Sequence, residues 1–81
     1  MRAVQQEVRV TLRDDGQPRQ VIWQGRSYAV LTVLDAWRAG GRWWLDEATR
    51  NCFLVQAGAL VAEVHQEDRT GGRWFLARVQ D

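Results

Sequence analysis

The hexapeptide Gly40-Gly41-Arg42-Trp43-Trp44-Leu45 returns thirty-one positions later as Gly71-Gly72-Arg73-Trp74-Phe75-Leu76, with five of six residues identical and the sixth still aromatic. A glycine pair lets the backbone take positive φ at a turn, and an arginine followed by two bulky aromatics suits the opening pleats of a strand. Two copies of this device predict a β architecture. The absence of a third copy argues against a solenoid. At 81 residues the chain holds one domain, and a domain of this size buries only about 60% of the surface its unfolded form exposes. Large side chains therefore carry its stability. Each of the five tryptophans can bury roughly 150–250 Å². Cys52 is alone, so no intrachain disulfide assists them.

Met1 to Gln6 shows no clear period and reads as a loosely held lead-in, with a single β domain from Glu7 to Asp81. Val8, Val10 and Leu12 alternate with Arg9, Thr11 and Arg13, which is the period of a half-buried strand. Asp14 to Pro18 supplies turn chemistry, and a second strand runs from Arg19 to Trp23. Gln24-Gly25 predicts a two-residue hairpin that sets Trp23 opposite Arg26, Ile22 opposite Ser27 and Val21 opposite Tyr28, with Val21, Trp23 and Tyr28 facing the core. The third strand, Arg26 to Leu34, is apolar on both faces and is expected to be the most buried. Asp35 to Ala39 is ambiguous, because Val33, Leu34 and Trp37 have helical spacing; a strand end or one helical turn is expected there. A short strand at Arg42 to Leu45, two β runs at Cys52 to Gln56 and Ala59 to Gln66, and a closing strand from Arg73 to Val79 complete the pattern. Short strands at this spacing predict an all-β fold: a small antiparallel barrel or strongly bent sheet of five to six strands, SH3-like or related.

Few residues here can carry chemistry. His65 and Cys52 are single, so tetrahedral zinc or a Cys-His nucleophile pair lacks partners. Ser27 is the only serine and sits in a hairpin without a glycine-flanked elbow. The carboxylate pairs Asp14-Asp15, Asp46-Glu47 and Glu67-Asp68 fall in predicted loops, where solvation leaves nothing to push their pKa values apart. Neither glycine pair is followed by the lysine and hydroxyl of a phosphate loop. No enzyme activity, cofactor or metal is expected. The longest apolar stretch, Ala29 to Leu34, is too short to span a bilayer, and the amino terminus lacks a signal-like run, so a cytoplasmic protein without a membrane partner is expected. All eleven basic residues are arginine, yet ten acids reduce the formal net charge to +1, which is not the footprint of a strongly basic nucleic-acid binder.

One constellation stands out. Arg42-Trp43-Trp44 and Arg73-Trp74-Phe75 place guanidinium beside aromatic faces, a mixture that single-stranded nucleic-acid binders use for stacking and phosphate tracking. Consecutive strand residues point to opposite sides, so one aromatic of each pair can be core and the other exposed. Trp37, Arg38, Arg42, Trp44 and Arg73 are the candidate binding residues. Trp23, Tyr28, Val30, Trp43, Trp74 and Phe75 are the candidate core.

Trp23-Gln24-Gly25-Arg26-Ser27-Tyr28-Ala29-Val30, Val33-Leu34-Asp35-Ala36-Trp37, Arg42-Trp43-Trp44 and Gly71-Gly72-Arg73-Trp74-Phe75-Leu76 follow the order W-x-G-R-x-Y-x-V, V-L-D-x-W, W-W and G-R-W-aromatic-L. The chain in this respect resembles a family of small bacterial domain-of-unknown-function proteins, over Val21 to Asp81. It departs from that pattern at Val61-Ala62-Glu63-Val64-His65, where an aromatic and acidic run is expected. The resemblance implies a shared β-rich fold and an accessory role in DNA-repair or translesion-polymerase settings, and it supplies no catalytic residues. The expected function is a non-enzymatic interaction module that binds a protein partner or itself. The alternative is single-stranded nucleic-acid binding through the Arg/Trp surface.

Overall fold

The computed structural model describes residues 2–40, 49–69 and 72–80. They form six strands: β1 (Arg2–Leu12), β2 (Pro18–Trp23), β3 (Arg26–Ala39), β4 (Arg50–Ala57), β5 (Leu60–Glu67) and β6 (Trp74–Gln80). Each pairs antiparallel with its sequence neighbour, and β1 pairs with β6 to close the barrel. The all-β expectation holds, and closure takes the upper strand count. Among the described residues there is no helix, and hence none long and apolar enough to cross a membrane.

The β2–β3 hairpin has the expected register, with Val21 opposite Tyr28, Ile22 opposite Ser27 and Trp23 opposite Arg26. Gln24 and Gly25 both take positive φ, 52° and 75°. That is the backbone of a tight hairpin whose twist matches its strands. Val21, Trp23 and Val30 are buried, and Tyr28 is half-buried against the same core with its ring 6.4 Å from that of Trp23. Val55, Ala57, Ala62, Val64, Trp74, Leu76 and Val79 complete the interior. Among the described residues, Val21, Trp23, Tyr28, Leu60 and Leu76 line an apolar void of about 10 Å³, too small to hold a ligand.

Three expectations are corrected. β1 begins at Arg2, not Glu7, and Arg2 pairs with Val79. Its period is hidden because Val4 and Gln5 together face the single residue Ala77 of β6, one residue too many for the ladder, with Gln5 at φ 55°. A bulge of this kind bends a strand and re-aims a side chain. Here the Gln6 Oε1 accepts from the Trp23 indole Nε1 at 2.7 Å. Phe75 does not join the core, because Trp74 takes the inward position and the next residue must face out. It is half-buried between the guanidinium groups of Arg50 and Arg73, which lie 5.1 and 5.4 Å from the ring centre. The third correction concerns β3, which is not the most buried strand but largely exposed.

Of the repeated glycine device only Gly40 and Gly72 fall among the described residues, and Gly72 has a different physical basis from the one expected. Neither Gly40 nor Gly72 takes positive φ. A Cβ on Gly72 would collide with the Glu67 carbonyl oxygen. Position 72 thus lacks a side chain because two backbone segments meet there, held by the Glu67 N–H donating to the Arg73 carbonyl at 3.0 Å. The expected strand from Arg42 to Leu45 and the core role of Trp43 lie outside the described residues.

Candidate functional site

β3 changes neighbours along its length. Its first four residues pair with β2, ending at the Gln20–Ala29 rung, and from Val30 to Ala39 it pairs with β4. Beyond Ala29 no described strand lies on its other side. The register to β4 slips twice, at Leu31 and again at Leu34, so each is an extra residue in the ladder. A bulge resets the alternation of faces. With two bulges three residues apart, Val30 and Val33 pack toward the core, while Leu31, Leu34 and Trp37 turn to solvent and Ala36, opposite Phe53, is exposed as well. The exposures of Leu31, Leu34 and Trp37 are 63%, 51% and 38%. A three-residue period in a bulged strand imitates helical spacing, which accounts for the ambiguous pattern at Val33, Leu34 and Trp37. Asp35 to Ala39 is therefore strand, as one of the two expectations held.

A groove of about 530 Å³ opens where β2 and β3 part, lined by Leu12, Arg13, Asp14, Arg19, Gln20, Ala29 and Val30. Arg19 is itself an extra residue, between the Thr11–Gln20 and Leu12–Pro18 rungs. Leu12 is 42% exposed on one bank, and Leu31 follows Val30 on the other. Among the described residues neither Arg13 nor Arg19 forms an ion pair, whereas Arg38, Arg69 and Arg73 do.

Behind this edge the outward rungs carry Trp37, Cys52, His65 and Phe75 on four successive strands. Cys52 faces away from the core yet is only 1% exposed. Burial pushes its thiol up from the ordinary value, and the nearby Glu63 carboxylate adds to that effect. Such a thiol stays protonated and unreactive at neutral pH. His65 Nε2 lies 2.7 Å from Glu63 Oε2, and its Nδ1 is buried without a described partner. Among the described residues no three His, Cys, Asp or Glu side chains gather to hold a metal ion.

The expected binding set is only partly brought together. Trp37 lies on the exposed ridge. Arg38 pairs with Asp68. The Arg73 Nε donates to Glu67 Oε1 at 3.0 Å while its plane covers Phe75. That hydrogen bond holds the Glu67 carboxyl below its usual range and raises Arg73 in turn. Both guanidinium groups are thus already paired with carboxylates at the surface. Arg42 and Trp44 lie outside the described residues. Leu31, Leu34 and Arg19 are absent from the expected set, because each is an extra residue only relative to the strand it meets and nothing in its neighbouring sequence marks it.

No curated protein and no solved structure matches this chain. The sequence profile of one family, described as Domain of unknown function (DUF6504), does match, over residues 1–81. The chain, with its bulged β3 and tryptophan-lined barrel, belongs to that family.

Proposed function

We propose that this chain is a non-catalytic binding module that takes a protein partner along the exposed side of β3. The observation that carries this reading is the ridge of Leu31, Leu34 and Trp37 on a strand segment with no described neighbour on one edge. Three large apolar side chains in a row on solvent-facing backbone cost hydration free energy that a partner recovers on binding. The chemistry available elsewhere favours binding over catalysis: the one thiol is buried and kept neutral, and the two arginines beside Phe75 are tied to the wall. The motif resemblance suggests an accessory of DNA repair or translesion synthesis as the setting.

Selection of peptides from a random phage-displayed library tests this. Binders enriched on the wild-type protein are expected to lose at least about tenfold in affinity, or roughly 1.4 kcal/mol, on a Leu34→Glu variant with unchanged circular dichroism. Binders indifferent to that substitution would place recognition elsewhere. Sedimentation analysis across concentration separates a foreign partner from a second copy of the chain.

A further inference from the structure

We infer that the partner enters as an extended acidic peptide, which adds a strand to the edge of β3 from Leu31 to Ala39 that no described strand covers, and sets its carboxylates against Arg13 and Arg19. The inference rests on the reading of β3 as the binding strand and goes on to say what the strand receives. Alternate backbone groups of a strand point to either side, so a segment paired on one side only presents N–H and C=O groups to the other. Peptides that complete such an edge gain affinity from main-chain hydrogen bonds and specificity from alternate side chains.

Three observations select this occupant. The groove between β2 and β3 is continuous with that edge, since its wall includes the last β2–β3 rung, Ala29, and the first β3–β4 rung, Val30. Its charged lining is two guanidinium groups against the single carboxylate of Asp14, so an entering segment of negative charge is complementary. Guanidinium groups without a carboxylate partner bind carboxylates by charge-assisted, often bidentate, hydrogen bonds. Leu12 lines the same opening and supplies apolar contact. Further along the edge the sign reverses. Asp35 Oδ1 accepts from the Ala36 N–H at 2.8 Å, so an edge amide is satisfied by a neighbouring carboxylate that an incoming strand must displace. The peptide therefore carries its acids at the end near Val30 and uncharged residues opposite Asp35.

The test uses the peptides selected on wild-type protein. Expected are enrichment in Asp or Glu at one end, loss of binding when alternate peptide amides are N-methylated, and about a tenfold or greater loss on Arg13→Gln/Arg19→Gln. Backbone amide NMR shifts should concentrate on Leu31–Ala39 and on Arg13 and Arg19. Peptides that depend on Leu34 but show no acidic bias and tolerate N-methylation would overturn this inference and leave the β3 reading standing. Peptides independent of Leu34 would remove both. A short oligothymidylate that shifts the same amides, displaces the peptides and weakens steeply with salt would overturn it in favour of single-stranded nucleic acid.

Discussion

β4 and the second half of β3 run side by side, paired from Val30–Ala57 to Ala39–Arg50, and are similarly rich in apolar residues. They meet opposite fates. β4 has β3 on one side and β5 on the other, its ladder to β5 has no slip, and Cys52, Val55 and Ala57 are buried. β3 slips twice against β4, has no second neighbour among the described strands, and leaves Leu31, Leu34 and Trp37 in solvent. Hydrophobicity does not decide burial here. The number of neighbours and the continuity of the ladder do, because only an unbroken alternation keeps one set of side chains facing in.

The contrast is most easily broken at the core. Trp23→Ala is expected to cost about 3–5 kcal/mol in chemical denaturation, since it removes a buried indole. It also strands the Gln6 carbonyl that the indole now satisfies. A loss under about 1 kcal/mol would mean that the inward side of β2 is not the supporting wall. Gly72→Ala should follow at about 1–3 kcal/mol, through backbone displacement where position 72 meets Glu67. Full stability in that variant would show that the two segments are not in contact. On the exposed side of the comparison, Leu31→Ser/Leu34→Ser should change stability by no more than about 0.5 kcal/mol. A larger loss would place these side chains in the core and remove the ridge. The smallest effect is an acid one. Glu67 has a depressed pKa in the folded state through its hydrogen bond from Arg73. Its contribution is present above the unfolded carboxyl range and fades as pH falls through the folded value. Arg73→Gln should therefore narrow the difference in thermal midpoint between neutral and acidic buffer, and an unchanged difference would show that the pair does not matter to folding.

Much of the barrel is written in local signals. Gln24-Gly25 dictates a turn that allows one register, and that register assigned Val21, Trp23 and Tyr28 to the interior. Trp37 was visible as an aromatic outside the regular alternation. The remainder was hidden where an extra residue enters a ladder. Val4-Gln5 erased the period at the start of β1, and Leu31 and Leu34 made β3 look buried on both faces and partly helical. Bulges depend on how distant strands meet, so no window of sequence around Leu31 announces one. Phe75 was misplaced for a simpler reason: two adjacent aromatics cannot share a face, and the sequence alone does not say which turns inward. The role of Gly72 depends on its approach to Glu67, a contact between chain segments that local turn statistics do not register.

The two slips in β3 are a matched pair. The sum of partner numbers rises by one after Leu31 and by one more after Leu34, so Asp35 to Ala39 recover the facing they would have had in an unbroken ladder. Loss of either leucine alone would remove one slip and leave every other rung to β4 in place, with Ala36 still opposite Phe53 and Trp37 still opposite Cys52. Length in β3 can thus change by one residue at either slip without changing the facing of the rest of the strand, which makes these two positions the places where the barrel tolerates a shorter β3.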